Sequence, residues 1–305
     1  MRVLVTGASG FVGRWLSRAL RDKGHEAVDG GAGLDVTDHR ALREALDKAE
    51  PDAVAHLAAV AFGPDAGADP AQAFRVTVGG TVNLLEAARS MPRPPVILIS
   101  GSSDVYGTPA PADLPLTEGM PLRPVKPYAL SKAAQESIAL AYGARHGLRV
   151  VVTRSFNHAG PGQRPVFVIP ALAERVAAVA RGATDQVPAG NLDVRRDVTD
   201  VRDVADAYVR LLESVHAGSA GETGLVLNVC SGRSVPIRWL LEELCRVAGV
   251  EPKVRIDPAL VRSDDAAEIR GDASAIERLI GWRATTPLET TLADIWHATA
   301  SAGGR

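Results

Sequence analysis

Val3-Leu4-Val5-Thr6-Gly7-Ala8-Ser9-Gly10-Phe11-Val12-Gly13 stands at the head of the chain and decides its architecture. Three consecutive apolar residues predict a strand buried on both faces, as in a parallel sheet. From Phe11 to Lys23 the apolar residues Val12, Trp15, Leu16, Ala19 and Leu20 share one helical face, with Gly24 as the stop. Between strand and helix the glycines have the spacing G-x-x-G-x-x-G. Gly7 suits a tight turn, Gly10 lets the backbone approach a pyrophosphate, and Gly13 lets the helix pack on the sheet, with free N–H groups facing an anion. A plain strand-to-helix turn would look the same, so the rest of the chain must decide.

The same alternation runs on. Glu26–Asp29 reads as a short strand and His39–Ala49 as a helix behind an Asp38 cap and ahead of Pro51. Ala53–Leu57 and Val96–Ile99 read as further buried strands. Strands alternating with helices predict right-handed crossovers and an α/β, doubly wound (Rossmann), mostly parallel sheet within residues 1–165. Beyond it, helices are expected over Phe167–Arg181, Val201–Glu213, Val235–Ala248 and Leu288–Ala300, in a smaller C-terminal α/β part, residues 166–305. A ligand is expected between the two parts, at the carboxyl ends of the strands. Ala300–Arg305 is expected to fray.

Composition narrows the function classes. With 305 residues the chain can build one large domain or two modest ones. Apolar residues at 46% and charged ones at 23% exclude disorder and coiled coil. Basic residues number 34 and acidic ones 36, with no long basic run, which argues against a nucleic-acid partner. Cys230 and Cys245 form no C-x-x-C pair, so neither a disulfide framework nor a metal site is expected, and both read as small buried hydrophobes. The longest uncharged apolar run, Ala53–Phe62, contains His56 and falls short of the ~20 residues that span a bilayer. Met1-Arg2 leads directly into Val3-Leu4-Val5, so no signal peptide and no membrane partner are expected, and the expected location is cytoplasmic.

A second constellation carries chemistry. Tyr128-Ala-Leu-Ser-Lys132 follows Pro127, a favoured first-turn residue, on a helix expected to reach Arg145. Residues i and i+4 share a face, so Lys132 can bring an ammonium near the Tyr128 phenol and lower its pKa from about 10. The chain has 4 Tyr and five Lys, so the pair is rare by chance, though an exposed i, i+4 pair would look alike. Ser100-Gly101-Ser102-Ser103-Asp104-Val105-Tyr106-Gly107 follows the strand Val96–Ile99 and so lies at the carboxyl edge of the sheet. A hydroxyl there can polarise a carbonyl while Tyr128 delivers a proton, the assistance that hydride transfer from a nicotinamide needs. Asp29 could accept from a ribose 2′-OH, whereas Gly30-Gly31-Ala32-Gly33 offers no base for a 2′-phosphate and Arg14 stands near the phosphate turn. NADH and NADPH therefore both stay open. Asp35-Val36 reads as an adenine-edge contact or as a simple cap.

Taken in order, these motifs resemble the extended short-chain dehydrogenase/reductase family of nucleotide-sugar enzymes. So do His56-Leu57-Ala58-Ala59, Gly80-Thr81-Val82-Asn83-Leu84-Leu85-Glu86-Ala87, Arg154-Ser155-Phe156-Asn157, Arg196-Asp197, Val201-Arg202-Asp203-Val204-Ala205 and Asn228-Val229-Cys230-Ser231-Gly232. Within the family, Arg154–Gln163 and Gly190–Asp197 resemble the GDP-sugar branch, and the Ser102–Gly107 string resembles its 4-keto-6-deoxy-mannose reductases more than its dehydratases.

The resemblance implies NADPH or NADH held by Gly7, Gly10, Phe11, Val12, Gly13, Asp35, Val36, Leu57, Ala58, Ala59, Tyr128 and Lys132. It implies Ser102 as the carbonyl-polarising hydroxyl, Tyr128 as the acid and Lys132 on the nicotinamide ribose as well. Ser103 and Asp104 would line the sugar site, with Asn157, Arg196 and Arg262 toward the diphosphate, where arginine suits phosphate geometry. Arg196, flanked by Asp193 and Asp197, and Arg262, in a charged loop, would also read as surface ion pairs. The implied reaction is reduction of the C4 ketone of a GDP-linked 4-keto-6-deoxyhexose, giving GDP-rhamnose. A redox-neutral epimerase or dehydratase, and a non-catalytic nucleotide sensor, are the alternatives. The family further implies residues 196–230 packing back on the sheet, and a homodimer through helices near Ala71–Arg89 and Tyr128–Arg145. Two departures stand out. Asp104 occupies the place of the dehydratases' Glu, and Thr77 that of an Asn that positions the catalytic helix and a relay water.

Overall fold

Short apolar runs supply the strands of the chain, whose computed structural model describes residues 1–30, 33–218, 224–261 and 265–302. The strands are β1 (Arg2–Thr6), β2 (Glu26–Asp29), β3 (Ala53–His56), β4 (Val96–Ser100), β5 (Val150–Ser155) and β6 (Asn157–Ala159). They continue with β7 (Gln186–Ala189), β8 (Arg195–Asp200), β9 (Leu225–Val229), β10 (Ser234–Pro236), β11 (Lys253–Ile256) and β12 (Glu268–Ile269). One parallel sheet has the order β2-β1-β3-β4-β5-β9. Its central residues Val3–Val5, Ala53–Ala55, Ile97–Ile99 and Val150–Val152 are at most 1% exposed, because helices cover both faces.

The helices are α1 (Phe11–Asp22), α2 (His39–Ala49), α3 (Gly63–Ala68), α4 (Pro70–Phe74), α5 (Gly80–Arg89) and α6 (Pro127–His146). They are followed by α7 (Val168–Ala180), α8 (Val201–His216), α9 (Ile237–Ala248), α10 (Ser274–Ile280) and α11 (Leu288–Ala302). Alternation along β1 decides which layer each residue meets: Val3 and Val5 pack with α1, α8 and α10, and Leu4 with α2, α5 and α6. Each such buried Val or Leu contributes about 1.5–3 kcal/mol. The order of the sheet reverses at β1, with β2 on one side and β3 on the other, and a crevice opens there at the strand ends.

Two small sheets complete the chain. β8 pairs with β10 antiparallel and with β6 and β12 parallel, and β7 pairs with β11. Around them α7, α9 and α11 bury Leu172, Val176, Leu240, Leu244, Leu292 and Ile295. Asp200 caps α8 by accepting from Arg202 N at 2.7 Å, and Asp38 caps α2 as its sequence position predicts.

Four local expectations change. The helix expected over Ala71–Arg89 is broken: α4 and α5 are joined by a π-turn, Arg75–Gly79. Val235 lies in β10, because Pro236 is extended and caps α9, so that helix starts at Ile237. α11 continues through Ala302, past the start of the tail expected to fray; residues 303–305, like Gly31-Ala32, lie outside the described residues. Cys230 is fully buried, whereas Cys245 on α9 is only half-buried. No helix among the described residues is long and apolar enough to cross a membrane.

Candidate active site

The glycine turn is shaped by close approach. Gly7 has φ +71°, and its carbonyl accepts from Gly10 N at 2.9 Å. A Cβ at Gly13 would lie 2.2 Å from Gly7 O, and one at Gly7 would lie 3.0 Å from Ala58 N. Any larger residue at Gly13 therefore separates α1 from β1. No side chain caps α1 and its first turn holds no acidic residue, so its N–H groups and positive dipole end face the crevice. Phe11 stacks on His158 with ring centroids 6.1 Å apart. Leu57 N donates to Thr6 O at 3.2 Å and Ala58 N to Thr6 Oγ1 at 3.3 Å, which sets the segment through Ala59 beside the turn. This arrangement fits a dinucleotide diphosphate.

On the adenosine side the structure favours a local turn at Asp35. Its carboxylate accepts from Thr37 N and Oγ1, both at 2.8 Å, and these bonds hold its pKa below the usual carboxylate range. Val36 is buried against Gly80, and its carbonyl accepts from Asn83 Nδ2 at 3.1 Å.

The Ser, Tyr and Lys residues come together. Gly101 follows β4 where a Cβ would meet Thr153 O at 2.4 Å, so the chain turns closely over β5. Ser102 then caps a short 3-10 turn, Ser103–Tyr106, accepting from Asp104 N at 3.2 Å. Its hydroxyl lies close enough to the Tyr128 phenol, in the first turn of α6, to favour the ionised form. Two O–H groups thus converge where a substrate carbonyl oxygen could sit.

The electrostatics correct one expectation. Burial, with Asp104 adding to it and Ser102 opposing it, pushes the Tyr128 phenol up rather than down. Lys132 is not aimed at the phenol. Its ammonium, 4% exposed, donates to Ser100 O at 2.7 Å and to Gln135 Oε1 at 3.0 Å, and burial pushes its pKa down to about 7. Thr77, the departure from the family's Asn, lies in the π-turn; its hydroxyl is buried with no hydrogen-bond partner among the described residues, while its carbonyl accepts from Thr81 and Gln135. Gln135 and the contacts of Thr81 and His56 escaped sequence reasoning; the one available signal was that Gln135 lies one turn on from Lys132, on the same face of α6.

Behind the hydroxyls lies a brace. Arg154 on β5 clamps Glu136 on α6 through Nε and Nη2, at 3.0 and 2.6 Å, and its Nη1 donates to Tyr106 Oη and to Glu118 O, both at 3.0 Å. Tyr106 donates to Asn228 Oδ1 at 2.7 Å, tying the 3-10 turn to β9. Arg154 and Asn228 were legible only as parts of family motifs. Their partners show that they tie the 3-10 turn to β5, α6 and β9.

The expected sugar side is less gathered. Ser103 is buried, Asp104 and Asn157 are exposed, and Asn157 opens β6. Arg196, on β8, is buried and donates to Ala266 O and Asp265 Oδ1, each at 2.9 Å. Its expected flanking partners are engaged elsewhere: Asp193 pairs with Arg238 at 2.8 Å, and Asp197 accepts from Ser231, Gly232 and Gly271. Arg262 lies outside the described residues. Among the described residues no group of three or more His, Cys, Asp or Glu could hold a metal ion.

The model of the NAD dependent epimerase/dehydratase family matches residues 3–230. The chain is 39% identical over 297 residues to GDP-6-deoxy-D-mannose reductase of Pseudomonas aeruginosa, covering 95% of this chain and 94% of that one. It is 30% identical to GDP-6-deoxy-D-talose 4-dehydrogenase of Aggregatibacter actinomycetemcomitans, covering 92% of each. Among solved structures, RMD from Pseudomonas aeruginosa complexed with NADPH superposes with a TM-score of 0.91 at 36% identity, covering 99% of this chain and all of that one.

Proposed function

This chain belongs to the NAD dependent epimerase/dehydratase family, and from that premise we propose that it reduces the C4 ketone of a GDP-4-keto-6-deoxyhexose, yielding GDP-rhamnose. It is an NAD(P)-dependent oxidoreductase acting on a nucleotide sugar. The observation that carries this reading is the pairing of Ser102 with a protonated Tyr128 at the end of β4, beside the crevice of the glycine turn. A reduction needs a proton on that phenol and an oxidation needs it off. The phenol is protonated at neutral pH, and burial strengthens its hold on that proton.

Bound at the crevice, the nicotinamide cofactor supplies a hydride. Gly7, Gly10 and Gly13 leave the start of α1 open to its diphosphate, with Phe11 and Val12 in the first turn, Asp35 and Val36 toward the adenosine, and Leu57, Ala58 and Ala59 along the edge. Ser102 donates to the ketone oxygen and polarises the carbonyl. Tyr128 donates to the same oxygen and passes its proton across as that oxygen gains negative charge, a contribution of about 10²–10⁴ in rate. Lys132, held at Ser100, grips the nicotinamide ribose and supports return of a proton to Tyr128. Ser103, Asp104 and Asn157 line the sugar, and Arg196 and Arg262 serve the diphosphate.

Residues 1–165 are read as the dinucleotide-binding part, joined by 196–230, and residues 166–305 as the part that holds the nucleotide sugar. The exposed Phe74 and Leu130, on α4 and α6, support a homodimer through these helices. Free Cys230 and Cys245 accord with a reducing compartment, the cytoplasm. The test is incubation with GDP-4-keto-6-deoxymannose and NADPH or NADH, followed at 340 nm and by NMR of the product. Stoichiometric cofactor oxidation with a new C4 carbinol proton is expected. Product formed without net oxidation would assign an epimerase or dehydratase instead, and binding of both ligands without turnover would assign a sensor.

A further inference from the structure

A chain of buried polar groups runs from Lys132 away from the substrate. Lys132 Nζ donates to Gln135 Oε1 at 3.0 Å, and Gln135 Nε2 donates to Thr81 Oγ1 at 2.8 Å and, more weakly, to Thr77 O at 3.4 Å. Thr81 donates its own proton to Thr77 O at 2.7 Å, one turn back, at a carbonyl that the π-turn leaves available to side chains. Having given that proton away, Thr81 Oγ1 must accept from His56 Nε2, 3.1 Å distant. His56 therefore carries its proton on Nε2, and Nδ1 accepts from Thr6 Oγ1 at 2.8 Å. Thr6 is the last residue before Gly7. The five side chains are at most 4% exposed, so each bond is made in a dry interior.

We propose that Gln135 is the positioning residue for Lys132: its amide oxygen holds the ammonium against Ser100, and its amide nitrogen fixes that orientation through Thr81 to His56 and Thr6 at the foot of the glycine turn. Only this rotamer satisfies both ends of the amide, because the ammonium has no lone pair to offer and Thr81 has no proton left to give. The titratable groups facing Lys132 are His56 from β3 and Tyr128 from its own helix, with Asp104 beyond the phenol. His56 is held neutral, its pKa pushed down to about 3 by burial and by the charge on Lys132. Gln135 is thus the side-chain acceptor that favours the charged amine. The assignment rests on the reductase reading only for its consequence in turnover.

Selective ¹³Cε labelling of the five lysines, with Lys132 identified by the signal missing from Lys132→Met, reports the titration of this amine without cofactor or sugar. Gln135→Met keeps the shape and removes the acceptor, so the midpoint should fall by about one pH unit. Gln135→Glu places a carboxylate at the same point, and the midpoint should rise by about one unit or more. In the reductase assay, Gln135→Met should lower kcat about tenfold with little change in the sugar KM. Opposite shifts establish the role even if no sugar is turned over, a result that would overturn only the reductase reading. Midpoints unchanged in both variants, whatever their melting temperatures, would reduce Gln135 to packing.

Discussion

The groups behind Lys132 and the groups around Arg196 keep their charges in different ways. Behind Lys132 the partners lie on four packed elements, α6, α5, β3 and β1, the bonds converge on Thr81 from both ends, and all members are buried. Arg196 is buried too, at 8% exposed against at most 4%, and one of its partners is Asp265, a partly exposed side chain in the approach to β12. The first arrangement is set before any ligand arrives, which is what stabilisation of a developing charge requires. The second rests in part on a carboxylate that reaches solvent, which suits the diphosphate role proposed for Arg196.

Four substitutions probe that contrast, beginning with the largest effect. Tyr128→Phe should lower turnover by about 10²–10⁴ while leaving NADPH binding close to wild type, measured by absorbance and by fluorescence titration. Parallel loss of both would make Tyr128 a cofactor grip instead of an acid. Arg154→Met strands the Glu136 carboxylate inside the protein and should cost about 3–5 kcal/mol in urea unfolding, most of it recovered in Arg154→Met/Glu136→Leu. A cost below about 1 kcal/mol would equate the brace with a surface pair.

His56 gives the pH dependence. Its folded pKa of about 3 lies below the ordinary 6.5, so the unfolded chain takes up a proton that the folded chain refuses. Stability should then fall as pH drops from 6.5 toward 3, by up to about 1.4 kcal/mol per unit, with no contribution above that window. Comparison with His56→Gln isolates this slope; equal slopes would mean the ring is protonated in the native state. The smallest effect is expected from Asp265→Asn. Removing the Asp265 charge should lower the sugar-nucleotide KM by up to about fivefold with kcat unchanged. No change would mean that Asp265 does not compete with the sugar nucleotide for Arg196.

The same contrast explains what could be read from the chain. β1, the glycine turn, α1 and the Tyr128/Lys132 spacing are local patterns, in which residues within one or two turns decide the geometry. Ser102 was named from its place after a strand end and by resemblance, without its cap on the 3-10 turn. The partner of Arg196 was out of reach, since it is 69 residues away and meets it through the register of β8 with β12. The sign of the Tyr128 shift was missed for a related reason. Spacing tells that Lys132 is near, while burial and Asp104 are properties of the assembled fold. The break at Arg75–Gly79 is likewise invisible in an apolar period that continues on both sides of it.

That break also stores length. A π-turn carries one more residue than an α-helix of the same course, so the segment before α5 is out of phase with it by about 100°. Deleting a single residue there would let the two helices wind as one, would swing Phe74 to a different bearing, and would move the Thr77 carbonyl that receives Thr81 and Gln135. The surplus residue therefore couples the bearing of an outer surface to the buried groups behind Lys132.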